Sequence, residues 1–489
     1  MSDLLTRISR DFIGLDTHYR NCQGVSTRRI YLDSAATCLA LGAAEKGRAA
    51  FLRHYANVHS SAHHGAQLAT KAYDWAHQKV LEFVGADPEE YTCVFVGSGA
   101  TAASNLFARL MAQVRSGRGL VLASLMEHHA NDLPHRQHVG EVRHIPMLGA
   151  GAHSKGLDLS ALSQLLEQTG STVNYVALTA ASNVTGQINP IHRAAELAHA
   201  HGALILVDAA QALAHLPLCM NGAEREQDSI DAMIFSGHKA YVPGAPGVLV
   251  IRRSLLQSVA PQEVGGGMVK RVYKTSFILS DALPDRAEAG TPNIVGAVTL
   301  GMALETLAQI GLSAIVEHEQ ELLMHLMGGL KNIPGLRVYG DANPQLRVAT
   351  VAFNIAGLSH GLVAAILNDE FNIAVRNECF CAHPYVRELL LPELWENDSA
   401  DEAEIEDQLG MVRISLGLYN AIDDVYAVLT ALNEIALHGA ARAADYQHVG
   451  QGNYRHRSYR LPKAAGFDPA TTIQGLLHPP KLATPAFSN

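Results

Sequence analysis

Between about residue 75 and residue 255 the chain alternates short apolar, β-branched runs with longer alanine-rich stretches of helical period. The runs are Tyr91–Gly97, Gly119–Ser124, Val142–Pro146, Val173–Thr179, Ala203–Asp208, Ala232–Ser236 and Gly247–Ile251. This alternation predicts a mainly parallel sheet with helices on both faces. Helices are expected between the runs, among them Ala100–Arg115 and Ile191–His201, the second ended by Gly202.

A second block begins near Pro292. It carries a long amphipathic pattern (Ile294–Ile310, then Leu312–Lys331), strand candidates Val348–Ile355 and Val412–Leu416, and a closing helix around Ala421–His438, which together predict a smaller α+β domain. The expected organisation is therefore an arm over 1–30, a large domain over 31–293, a small domain over 294–440 and an extension over 441–489. An acidic run, Glu396–Asp407, sits in an insertion near 392–410; it reads first as a solvated surface segment and second as a partner or regulatory contact. The extension mixes His, Tyr, Arg, Gly and Pro without a period, which suits either an ordered wrap over the body or a flexible appendage.

Composition narrows the function more than the fold. With 489 residues, 48% of them hydrophobic, the chain can bury a large core. A formal net charge of -10 gives no general attraction to polyanions, so neither nucleic acid nor an anionic membrane is expected as a partner. No apolar stretch has the length of a membrane span and Met1–Phe12 lacks a signal-peptide core, so the protein is expected to be soluble and cytoplasmic. Six scattered cysteines, with only Cys379 and Cys381 close together, suit reduced thiols better than a disulfide framework. The 25 histidines are dispersed and suggest no metal site.

Candidate chemistry starts at Lys239, in Ser236-Gly237-His238-Lys239, thirty-one residues after Asp208 at the end of its strand run. A pyridoxal phosphate (PLP) enzyme needs a lysine to condense with the aldehyde and a carboxylate to keep the pyridine nitrogen protonated. The phosphate of such a cofactor needs a helix N-terminus opened by small residues, and Val96-Gly97-Ser98-Gly99-Ala100-Thr101 supplies one between a strand and a helix. Alone, that turn is common in α/β proteins. His128, in Glu127-His128-His129-Ala130-Asn131, follows the Leu120–Ser124 strand at the same sheet edge, where ligands of open α/β sheets collect.

The order and wording of these segments resemble the class V aminotransferases, above all the cysteine desulfurase and selenocysteine lyase branch. The likeness runs from about Tyr31 to Asn433 through Tyr31-Leu-Asp-Ser-Ala-Ala36, Asn57-Val-His59, Ser182-Asn-Val-Thr-Gly186, Asp208-Ala-Ala-Gln211, Ser236-Gly-His-Lys239, Glu288-Ala-Gly-Thr-Pro-Asn293, Val375-Arg376 and Arg413-Ile-Ser-Leu. The resemblance implies a fold-type I PLP-dependent transferase: a large domain with a mainly parallel seven-stranded sheet, a smaller α+β C-terminal domain joined by the N-terminal arm, and a homodimer with active sites at the subunit interface. Carried over by position, Lys239 attaches the cofactor, Asp208 faces its ring nitrogen and His128 stacks on the ring. Ala100, Thr101, Ser236 and His238 hold the phosphate with Thr291 of the neighbouring subunit, and Gln211 bonds the phenolate oxygen. Asn183 and Arg413 grip the substrate carboxylate, a role that suits a planar guanidinium. Arg376 and His59 complete the substrate surroundings.

In that branch a cysteine thiolate attacks the sulfur of the substrate and keeps it as a persulfide, releasing alanine. Cys381 stands where the family nucleophile would. The three positions before it usually read Gly-His-His in the family, whereas here they are Glu378, Cys379 and Phe380. Two imidazoles are lost, a carboxylate is gained that would raise a neighbouring thiol's pKa, and a second thiol appears; Cys379 either resolves a persulfide or, as favoured, fills a pocket. The expectation is conversion of L-cysteine to L-alanine with sulfur left on Cys381 for an acceptor protein. A carbon–sulfur lyase, an epimerase or a transaminase on another amino acid are the alternatives with the same cofactor, and a non-catalytic scaffold the alternative of another class.

Overall fold

The computed structural model describes residues 3–58, 60–222, 226–394, 409–461 and 467–478. All seven apolar runs form strands of one sheet: β1 (Tyr91–Val96), β2 (Leu120–Ser124), β3 (Glu141–Ile145), β4 (Val173–Thr179), β5 (Leu204–Asp208), β6 (Ala232–Ser236) and β7 (Gly247–Arg252), in the order β1-β7-β6-β5-β4-β2-β3. Neighbours are parallel from β3 through β6, and β7 is antiparallel to both β6 and β1. Helices α1 (Gly42–Leu52), α2 (His64–Phe83), α3 (Gly99–Val114) and α4 (Ile191–Ala200) surround it. Alternate residues feed two separate cores, as the pleat requires. Leu206, Ala232 and Ile234 pack with Phe107 and Leu110 of α3, whereas Ile205, Val207, Met233 and Phe235 pack with Ala194, Ala195 and Ala198 of α4. Each fully buried large side chain contributes roughly 1.5–3 kcal/mol, so a polar residue inside these runs is costly. Asp208 and Ser236 accordingly appear only at the last positions of β5 and β6.

Helices α5 (Ile294–Ile310) and α6 (Leu312–Leu330) divide the long amphipathic pattern, bending by 78° at Gly311, whose φ of +88° only glycine adopts easily. Ile294, Ala297, Val298, Leu300 and Leu304 of α5 join the large-domain core, so packing continues across the composition break near Pro292. Beyond α6 lies a second, antiparallel sheet of β8 (Leu336–Val338), β9 (Thr350–Ile355), β10 (Arg376–Glu378) and β11 (Met411–Ser415), ordered β8-β9-β11-β10. Val351, Phe353, Val412 and Ile414 of this sheet bury against α6, α7 (His360–Phe371) and α9 (Ile422–Arg442), while α8 (His383–Leu394) leaves it toward the large domain. Among the described residues no single helix is long and apolar enough to cross a membrane.

The N-terminal arm ties into this second domain. Cys22 N donates to Asp369 O (2.8 Å), Asn372 Nδ2 donates to Tyr19 O (2.8 Å), and Ile30–Tyr31 pairs in parallel with Ile373–Ala374. The next residues run beside β11, where Ser415 N donates to Leu32 O (2.8 Å). Part of the extension is an ordered wrap: Tyr446–His448 and Tyr454–His456 form a hairpin packed on α7, with a Gly361 side chain excluded by the Gly452 carbonyl oxygen. The acidic run Glu396–Asp407 lies outside the described residues.

Candidate active site

The C-terminal ends of the central strands open into a cavity of about 670 Å³ between the two sheets, a size suited to a cofactor with its substrate. Asp208 ends β5, and Lys239 follows β6 after one turn, Gly237–Lys239. Asp208 is buried and Lys239 is half-buried at the cavity wall. Burial pulls the Lys239 amine down from its ordinary range, opposed by Asp208, and pushes the Asp208 carboxyl up, opposed by the Ala210 amide (2.9 Å) and by Lys239. The pair shares no hydrogen bond among those described. A buried carboxylate and a half-buried amine of opposite charge facing one cavity are costly unless a polar ligand joins them, and a protonated pyridine with an aldehyde fits that gap in chemistry.

His128 lines the same cavity. Ala130 N donates to its Nδ1 (3.0 Å), and burial, then the Lys239 charge, pull its pKa down to about 3. The ring therefore stays neutral near pH 7, as stacking on an aromatic cofactor favours. Behind it, Glu127 is held by Ser124 Oγ, Asn131 Nδ2 (2.6 Å) and Thr179 N (2.8 Å), and burial pushes its pKa up to about 8.

Gly97 and Ser98 form the turn between β1 and α3. Ser236 Oγ accepts from Ala100 N at the start of α3 (2.7 Å), so one first-turn amide already meets an oxygen of the kind a phosphate offers. Gly99 holds φ +59°, and a side chain at Gly247 would collide with the Gly99 carbonyl oxygen. Backbone of β7 thus approaches the first residue of α3 too closely for any residue with a Cβ at position 247. Thr101 and His238 line the cavity beside them; His238 Nδ1 meets Thr37 Oγ1 (3.1 Å), and burial brings its pKa to about 4. Gln211 Nε2 donates to Ala35 O (2.8 Å).

The opposite wall comes from the small domain. Arg413 on β11 faces Arg376 on β10 as direct cross-strand partners, which places two guanidinium groups side by side. Asp33 answers one of them, accepting from Arg413 Nη2 (3.1 Å), while Nη1 donates to Asn183 O (2.8 Å) and Nε has no partner. Arg413 also lies over the Phe380 ring, 4.7 Å from its centre. One buried guanidinium, Arg413, and one exposed, Arg376, against the Asp33 carboxylate leave this wall short of negative charge, as a site for an α-carboxylate should be. Asn183 Nδ2 donates to Phe380 O (2.7 Å), tying this wall to the loop that carries the thiol.

That loop is strained. Glu378, Phe380 and Cys381 have φ of +84°, +52° and +56°, a region L-residues enter at a cost of roughly 1–2 kcal/mol each. Cys381 is exposed at the cavity, and its carbonyl accepts from His129 N (2.7 Å). Cys379 is buried; its thiol donates to Leu409 O (3.5 Å), and burial, followed by Glu378, pushes its pKa to about 11. The second thiol is thus covered and held protonated near neutral pH, although it borders the same cavity as Cys381.

One cavity thus gathers Ala100, Thr101, His128, Asn183, Asp208, Gln211, Ser236, His238, Lys239, Arg376, Cys381 and Arg413. Thr291 lines instead an adjoining cavity of about 460 Å³, which shares Gly97, Ser98 and Thr101 with the first. His59 lies outside the described residues. Asp33 and His383 were assigned no role from sequence. Asp33 left a signal, a carboxylate inside Tyr31-Leu-Asp-Ser-Ala-Ala36, but its partner lies 380 positions away.

Residues 30–428 match the family model described as aminotransferase class-V. The cysteine desulfurases of Escherichia coli strain E24377A and of Shigella flexneri are each 35% identical to the chain over 412 residues, covering 83% of it and 93% of the relative. Among solved structures, the cysteine desulfurase of Thermococcus onnurineus superposes with a TM-score of 0.73 at 28% identity over 84% of this chain and 95% of that one. The E. coli cysteine desulfurase CsdA gives 0.72 at 28% identity over 90% and 99%.

Proposed function

From the premise that the chain belongs to the class-V aminotransferase family, we propose that it is a PLP-dependent cysteine desulfurase that converts L-cysteine to L-alanine and leaves the sulfur on Cys381 as a persulfide. The observation that carries this reading is the convergence of Lys239, Asp208, Arg413 and Cys381 on one cavity. Bound PLP supplies an electron sink for cleavage at the amino-acid carbon atoms. The donor set fits it: Ala100, Thr101, Ser236 and His238 for the phosphate, Asp208 for the ring nitrogen, His128 for the ring face, Gln211 for the phenolate and Lys239 for the aldehyde.

The chain's own residues divide the remaining work. Arg413, steadied by Asp33 and the Asn183 carbonyl, takes the substrate carboxylate and fixes the direction of its side chain. Lys239, its amine already biased toward the neutral form by burial, moves the proton at Cα. Cys381 meets the substrate's sulfur from the small-domain side, where exposure leaves the sulfur accessible to an acceptor protein. A homodimer is part of the proposal, with Thr291 acting across the interface; its place outside this chain's own cavity supports that.

Replacing Cys381 by Ser tests the reading. Alanine formation from L-cysteine should fall about 100-fold or more while the cofactor absorbance is retained. Alanine and sulfide release at the parent rate would overturn the persulfide route.

A further inference from the structure

The family's two imidazoles before the nucleophile are absent at positions 379 and 380, yet the fold brings two others to Cys381. His383 follows it by two residues at the start of α8 and lines the cavity with it. His129, which lines a neighbouring cavity together with Thr101 and His128, donates its backbone amide to the Cys381 carbonyl (2.7 Å). The two rings are nearly parallel, at 12° with centres 4.9 Å apart, and His383 Nδ1 lies 3.1 Å from His129 Nε2, so one nitrogen donates its proton to the other. Resting on the desulfurase reading above, we propose that His129 and His383 form an imidazole dyad that takes the Cys381 thiol proton as the sulfur–sulfur bond forms, with His383 the proton acceptor and His129 a positioning residue behind it.

The other imidazoles lining the cavity are poor candidates. His128 and His238 are held neutral, with pKa values of about 3 and about 4, and each already uses Nδ1 in a hydrogen bond. His383 is exposed and His129 half-buried, so a proton passed along the dyad reaches water. Burial and then the His383 ring bring the His129 pKa down; of the charged groups facing it, Asp132 favours its charged form and Arg136 opposes it. Asp132 itself is held at about 2, so a carboxylate stands next to the dyad throughout the neutral range.

The step balances without an added oxidant. The Cys381 S–H bond breaks and its proton goes to the dyad; the Cys381 sulfur bonds to the substrate sulfur; the substrate's carbon–sulfur bond breaks with its electron pair kept on carbon. That carbon then gains a proton and leaves as the methyl group of alanine, so the proton released at Cys381 equals the proton gained at carbon.

The test uses holoenzyme without substrate, so that it is independent of desulfuration. Cys381 is alkylated with iodoacetamide at pH 7 and the rate followed by peptide mass mapping, which also separates Cys381 from Cys379. His383→Gln should slow alkylation about tenfold, and His129→Gln less. His383→Ala should be equally slow, and free imidazole in the buffer should restore much of its rate, a rescue that a purely structural tie between loop and helix would not allow. With L-cysteine, His383→Gln should lower kcat and spare KM. Unchanged alkylation in His383→Gln, or a loss in His383→Ala that imidazole leaves untouched, would overturn the dyad while alanine formation stands. Loss of alanine formation in the parent protein would instead sink the desulfurase reading and leave the alkylation result intact.

Discussion

The two walls of the cavity are made differently. On the large-domain wall Asp208, Ser236 and Lys239 sit at or just past the ends of neighbouring strands of a sheet buried on both faces, and glycine packs on glycine where backbone must approach. On the small-domain wall the thiol rides a loop with three L-residues at positive φ, fastened by single bonds to Asn183 and His129. A cofactor must be held in one geometry, so its residues belong on the stiffest part of the fold. A thiol that collects sulfur and hands it on must reach two places, which suits a loop held away from its own preferred conformation.

The contrast predicts that damage to the first wall is severe and that changes to the second are graded. Lys239→Ala should show the largest effect, a loss of turnover of about 1000-fold or more together with loss of the cofactor's absorbance. Borohydride reduction and peptide mapping of the parent should find the cofactor at position 239. Next, Gly247→Ala forces the β7 backbone off the Gly99 carbonyl and should cost about 2–3 kcal/mol, seen in chemical denaturation, with weakened cofactor retention by dialysis. Survival of both properties would mean that the rigid wall is softer than its packing implies.

Glu127→Gln has a smaller effect with a definite sign. Its folded pKa of about 8 lies above the ordinary 4.5, so its stabilising contribution is complete below pH 4.5 and is lost as pH rises through about 8. The parent should therefore lose stability relative to the Gln variant between those limits, by roughly 1–3 kcal/mol in paired denaturation curves. The smallest change belongs to the strained wall: Glu378→Gly relieves φ +84° and should stabilise the protein by about 0.5–1 kcal/mol, although it forfeits the exposed bond from Asn453 Nδ2 to Glu378 (3.2 Å).

Legibility in the sequence followed the same division. The central strands could be read because two-sided burial makes their runs almost wholly apolar, while the edge strand β3, Glu141–Ile145, alternates exposed and covered residues; Asp208 and Lys239 stood out as charges at the ends of central runs. Strand ends differed from expectation by a residue or two, as at Leu204 and Met411, where neighbouring strands rather than local preference decide the last pair. The Asp33–Arg413 bond and the His129–His383 bond were invisible because each joins residues more than 250 positions apart. Nor does any local signal mark the left-handed backbone at Glu378 and Phe380, since neither residue type favours it. The bend at Gly311, by contrast, was written in the glycine itself.

The most direct test is a single turnover of holoenzyme with L-cysteine, followed by amino-acid analysis and mass mapping of the peptide that carries Cys381. Alanine in equal amount to enzyme, with one extra sulfur on Cys381 and none on Cys379, is the predicted result; pyruvate and ammonia with an unmodified Cys381 would contradict it.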